Sequence, residues 1–161
     1  MEGKGKLAKS LFEQGYNCAQ SVVAAFAQEM GMDTKTAARL VCGLGGGVGR
    51  QREICGAVSG MAVVAGFLYG YDTPGDEEGK RRTYEMVQLL SARFREKNGS
   101  ILCRELLGEE GKDTNFVPSA RTAEYYVRRP CPGLIFCAGQ LLEEYCRERD
   151  GGESNGEHHT V

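Results

Sequence analysis

The sequence has no excess charge of either sign, no CxxC pair, no histidine before position 158 and no run in which apolar and polar residues alternate. Each absence narrows the chemistry. With 20 Lys and Arg against 22 Asp and Glu, the formal net charge of −2 gives no basic field for a phosphate backbone or an anionic membrane, so nucleic acid is not expected as a partner. Without CxxC, zinc ribbons, thioredoxin-like dithiols and CxxCH haem attachment lose their local signature. His158 and His159 sit in a polar C-terminal stretch, which leaves no imidazole for Cys–His catalysis. The first 15 residues, MEGKGKLAKSLFEQG, carry positive charge but no apolar signal-peptide core, so a reducing cytoplasm with free, metal-bound or redox-active thiols is expected.

What remains is a chain of 161 residues, enough for one domain with its own core, in which glycine (23) and cysteine (7) stand out. Apolar residues recur at spacings of three and four, which predicts an all-α fold: a compact bundle of about six helices in residues 1–147, followed by a polar tail over 148–161, expected to be disordered. Asn17 and Asp33 read as N-caps of the second and third helices. Ser100 and Ser119 read as caps of two short helices, and Pro132 as the first residue of the last one. A stripe of Tyr84, Val87, Leu90 and Phe94 marks the long fifth helix. Residues 54–71 contain no charge, but four glycines and a length short of a ~20-residue span argue for a buried central helix over about 54–69 and against membrane insertion. If that helix has more apolar face than its neighbours cover, a homodimer follows.

On this map the cysteines divide. Cys18, Cys55, Cys103 and Cys131 each fall at or just before the first turn of a predicted helix, whereas Cys42 ends one and Cys137 and Cys146 lie inside the last. Unpaired N–H groups and the helix dipole favour negative charge at a helix start, so these four positions suit thiolates, either as nucleophiles or as ligands of soft metals and iron–sulfur clusters. The segment GLGGGVGRQR at 43–52 offers Gly45, Gly46 and Gly47 for close backbone approach, with Arg50 and Arg52 adding positive charge near Cys55. No predicted strand precedes it and no GK[ST] follows, so it is a poor nucleotide motif. Gly56 and Gly60 share one face of the central helix and leave a smooth strip for a close neighbour.

The segment CGAVSG at 55–60, with the glycine-rich run before it and an apolar helix after it, resembles the signature of the C_GCAxxG_C_C family of redox-active proteins. GYNCAQSVVAAFAQEMG near the start, CRELLG at 103–108 and CP at 131–132 are similar to that family as well. The resemblance implies that Cys18, Cys55, Cys103 and Cys131 are the four characteristic cysteines. A similar helical domain carries an iron–sulfur cluster in split-Soret cytochromes; with no CxxCH here, haem is not implied.

The leading expectation is a cytoplasmic electron-transfer protein in which those four cysteines hold an iron–sulfur cluster, most naturally [2Fe–2S], with Gly45, Gly46, Gly47, Gly56 and Arg50 around it and a redox protein as partner. Three alternatives use the same fold. Cys55 could start thiol–disulfide exchange as the catalytic nucleophile, the four thiolates could hold a structural zinc, or the bundle could be a non-catalytic binding or transporter-accessory module.

Overall fold

The computed structural model describes residues 3–156 and is all-α. His158 and His159 lie outside the described residues. In chain order the helices are α1 (Lys4–Glu13), α2 (Cys18–Ala25), α3 (Thr34–Leu40), α4 (Gly45–Val48), α5 (Gly56–Tyr69), α6 (Glu77–Asn98), α7 (Cys103–Leu107), α8 (Ala123–Arg128) and α9 (Cys131–Gly156), with 3-10 turns at Cys42–Leu44 and Gly108–Lys112. Three of these, α4, α7 and α8, are pieces of 4, 5 and 6 residues that serve the site.

Local chemistry accounts for several boundaries. Asn17 accepts from the Gln20 N–H at 2.9 Å while the Gln20 side chain accepts from the Asn17 N–H at 3.0 Å, a reciprocal cap that fixes the start of α2. Asp33 caps α3 through the Thr36 N–H at 2.7 Å, and Gly99, at φ 89°, closes α6 in the left-handed conformation. Other boundaries follow tertiary contacts. Ser119 does not cap α8; its hydroxyl accepts from Arg50 and Arg129, and Thr122 is the cap instead. The N-cap of α7 is Leu102, while Ser100 accepts from the Leu102 N–H at 3.0 Å. Cys131, one residue before Pro132, is the first residue of α9.

The core is shared among α1, α2, α5, α6 and α9, with Phe12, Val22, Phe26, Met61, Val64, Phe94, Ile135 and Leu142 buried in it. The central helix is not wrapped on all sides. Met61, Val64 and Ala65 are buried, but Ala62 and Val63 are only half-buried and Phe67 is 54% exposed, because α2, α6 and α9 cover one side of α5. Tyr84 likewise leaves the expected stripe: α6 buries Met86, Leu90 and Phe94, and Tyr84 faces solvent. The last helix runs beyond the expected end near Cys146, through Gly156; the rest of the expected tail, 157–161, lies outside the described residues. Its extension is tied back by Arg93 to Glu148 at 3.0 Å and by the Tyr69 hydroxyl to Asp150 at 3.4 Å. Among the described residues no helix is long and apolar enough to cross a membrane.

Helices α1 and α9 approach each other backbone to backbone. A Cβ at Gly139 would stand 2.8 Å from the Lys4 carbonyl and 3.0 Å from the Gly5 Cα, so neither helix could carry a side chain there without moving apart. Gly139→Ala is therefore expected to destabilise the protein by about 1–3 kcal/mol through overpacking. Gly133→Ala, where nothing lies within 4 Å of the added methyl, is expected to gain about 0.5–1 kcal/mol from reduced chain entropy. Urea unfolding of the two variants measures both.

Candidate functional site

Each of the four singled-out cysteines stands at a helix start: Cys18, Cys103 and Cys131 are the first residues of α2, α7 and α9, and Cys55 is the N-cap of α5. Two of these starts are held side by side by a short antiparallel pairing within the helical fold. Cys55 N–H donates to the Ile101 carbonyl at 2.8 Å and Cys103 N–H to the Glu53 carbonyl at 2.7 Å, around a bridge between Ile54 and Leu102. All four cysteines line one cavity of about 420 Å³. Cys42, expected to stand apart, is exposed but lines the same cavity. Cys137 and Cys146 do not; the Cys137 sulfur accepts from Asn98 Nδ2 of α6 at 3.4 Å.

The glycine-rich segment is a wound turn, not an open loop. Gly46, Gly47, Val48, Gly49 and Arg50 all have φ between 58° and 71°, and Arg52 has φ 62°, so the chain runs left-handed through five consecutive residues. Arg52 N–H returns to the Gly46 carbonyl at 3.1 Å and Glu53 N–H to the Gly47 carbonyl at 2.9 Å, which delivers residues 52–55 to their partners at 101–104. Glycine takes this conformation freely; Val48, Arg50 and Arg52 do so at a cost of about 1–2 kcal/mol each. Gly45 and Gly46 line the cavity, whereas Gly47 packs beneath it, where a Cβ would meet the Cys103 Cβ at 2.8 Å. Gly56 is required on the other side: a Cβ there would collide with the Cys18 sulfur.

Four guanidinium groups share the wall, from Arg50, Arg52, Arg121 and Arg129. Arg50 lies 3.5 Å from the Asp113 carboxylate and also donates to the Asn115 carbonyl and to Ser119 Oγ. Arg129 pairs with Glu110 and stacks on the Tyr125 ring at 5.0 Å. Arg121 lies over Phe12 at 4.1 Å and donates to the carbonyls of Phe12 and Tyr16. Arg52 is 3% exposed; its Nε donates to the Asp113 carbonyl at 2.9 Å and its Nη1 reaches the Cys103 sulfur at 3.7 Å. The positive charge expected beside Cys55 thus bears most directly on Cys103.

Burial dominates the thiol electrostatics. It pushes the Cys18 and Cys55 thiols up, and holds Cys131 up at about 11, with the neighbouring cysteines adding to the rise and backbone N–H groups at Gly46 (for Cys18) and at Ala57 and Val58 (for Cys55) only partly opposing it. At Cys18, Cys55 and Cys131 desolvation therefore outweighs the helix-start N–H groups, and the free thiols there shift opposite to the sense that the helix-start argument predicts. Among the described residues no three His, Cys, Asp or Glu side chains are gathered closely enough to close on one metal ion.

The profile of one family, described as "Putative redox-active protein (C_GCAxxG_C_C)", matches residues 16–145. The chain belongs to this family. The matched span contains all four helix-start cysteines and the whole wall of the cavity except Phe12. Ala57 and Gly60 keep the AxxG spacing of the family pattern, while Cys55 and Gly56 stand in the order Cys–Gly. No match is found among curated proteins or among solved structures. The part of the site least visible in sequence is the connector at 109–129, which supplies Arg121, Tyr125 and Arg129; its interleaved arginines and tyrosines were the available signal, and they read equally well as a partner surface or a partly buried segment.

Two outcomes follow for the metal-free protein. Val48→Gly relieves about 1–2 kcal/mol of left-handed strain against a chain-entropy cost of about 0.5–1 kcal/mol, so a net gain of about 0.5–1 kcal/mol is expected in thermal or urea unfolding. The raised thiols bind their protons more tightly folded than unfolded. Their stabilising contribution is complete below the unfolded thiol pKa of ~8.5 and is lost as pH rises toward the folded value, at up to about 1.4 kcal/mol per pH unit per thiol. Urea unfolding under reducing conditions should show stability falling from about pH 9 toward the Cys131 value of about 11, with a shallower fall in Cys131→Ser.

Proposed function

We propose that the protein is an electron-transfer protein whose Cys18, Cys55, Cys103 and Cys131 hold an iron–sulfur cluster, most naturally [2Fe–2S]. The observation that carries this reading is the opening of four thiols, each from a separate helix start, onto one cavity. Four thiolates match the ligand set of such a cluster. When bound, the cluster would carry one electron between redox partners.

The chain's own groups suit the task. Arg52 donates toward the Cys103 sulfur, the N–H groups of Gly46, Ala57 and Val58 turn toward Cys18 and Cys55, and all of these offset negative charge on sulfur. The apolar part of the wall, including Leu106, Leu134 and Ile135, limits water at the thiols. A nucleophilic role for Cys55 is less well supported, since burial keeps that thiol protonated at neutral pH.

Anaerobic reconstitution with iron and sulfide should give a brown protein with bound iron and labile sulfide. Its visible absorbance should be lost or strongly altered in Cys18→Ser, Cys55→Ser, Cys103→Ser and Cys131→Ser, and retained in Cys137→Ser and Cys146→Ser. A wild-type protein that stays colourless and free of iron and sulfide overturns the reading.

A further inference from the structure

Arg52 is a buried cation whose pairing is incomplete. Its Nε and Nη1 have partners, but its Nη2 is shielded from solvent and has none, and among the described residues no carboxylate lies within ion-pair distance of it, the Asp113 carboxylate, held by Arg50, acting on it only from further off. A buried guanidinium ordinarily has an anion to face, because the desolvated charge is otherwise costly. Two neighbours satisfy this rule within the chain: Arg50 has Asp113 and Arg129 has Glu110. Arg121 has no carboxylate either, so the wall carries two guanidinium groups without a carboxylate partner among the described residues. The cavity is also large for the thiols alone. At ~30 Å³ per water, about 420 Å³ is roughly fourteen water volumes and falls in the ~300–1,000 Å³ range of small-molecule sites. Much of the remaining wall is apolar, with Leu106, Leu107, Pro118 and Phe116 at an edge where Phe116 is 87% exposed.

We infer that this cavity binds a small organic anion beside the thiols, its carboxylate or other oxyanion head on the Arg52 guanidinium and its apolar body along the Leu106–Phe116 side. The inference goes beyond the cluster reading and does not require it: the guanidinium and the apolar wall belong to the chain whether or not the thiols are occupied. The unpartnered Nη2 of the guanidinium suits one oxygen of a carboxylate, and a head-plus-body arrangement separates this ligand class from inorganic ions.

The test uses the full chain, both metal-free and after reconstitution, with benzoate as the organic probe and sulfate as a head without a body, each against chloride at equal ionic strength. Calorimetry is expected to show benzoate binding at least tenfold more tightly than sulfate, weakened at least tenfold in Arg52→Gln and unchanged in the surface variant Arg81→Gln. Should Arg52→Gln not fold, protection of the wild-type thiols serves instead: benzoate should slow alkylation of Cys103 and leave Cys146, outside the cavity, unaffected. Absence of benzoate binding to both forms of the wild type, equal binding by Arg52→Gln, sulfate binding as tightly as benzoate, or no protection of Cys103 overturns the inference. Benzoate binding to a chain that never takes up iron supports it while the cluster reading fails.

Discussion

Two backbone hydrogen bonds, from Cys55 N–H to the Ile101 carbonyl and from Cys103 N–H to the Glu53 carbonyl, are the constraint on which the site depends. They hold the starts of α5 and α7 against each other although nearly fifty residues separate them in sequence, and buried backbone groups that pair in this way exchange their partners only at a cost. The left-handed turn at 46–50 is tolerable because it ends in this pairing: strain of this kind persists where surrounding contacts over-determine the backbone. Arg50 and Arg52 then fasten the 113–119 segment, through Asp113, Asn115 and Ser119, as the opposite wall. The cavity is thus built from stretches spread along the chain, from Phe12 and Cys18 through the 42–56 and 103–107 segments to Cys131 and Ile135, none of which encloses it alone.

Chemistry follows from what that enclosure does to charge. Removing thiols from water favours their protonated form, and removing guanidinium groups from water makes each demand an anion. The two effects meet at the same wall, where Arg52 faces Cys103. A site of this composition is better suited to guests that bring or stabilise negative charge on sulfur than to chemistry that begins from a freely ionised cysteine.

The local parts of this arrangement are legible in the amino-acid sequence. Asn17, Asp33 and Gly99 act within three or four residues of themselves, so their capping roles need no tertiary knowledge, and Asn17 sets the helix start at Cys18; the starts at Cys55 and Cys103 have no side-chain cap and follow from tertiary pairing. Where a residue has a distant competitor for the same atoms, local reading fails. Ser119 looks like a cap but is taken by two arginines, Tyr84 has the right period but no neighbour to cover it, and the polar stretch after Cys146 stays helical because Arg93 and Tyr69 reach it from other helices. The left-handed turn was hidden for a different reason: glycines announce freedom, and only the flanking Val48 and Arg50, which lack it, reveal that the freedom is used in one sense throughout.

The contact between Gly5 on α1 and Gly139 on α9 joins segments more than 130 residues apart, and Cys131, at the start of that same α9, is the last of the four cysteines to be synthesised. As the chain emerges from the ribosome, α1 can pack on α2 but lacks its α9 neighbour, and the first three of these cysteines have no complete enclosure until α9 follows. The thiols are therefore exposed to solvent, oxidants and passing metals for most of synthesis. Enclosure is a late event in the life of each molecule, and whatever occupies the cavity has the nascent chain as its first competitor.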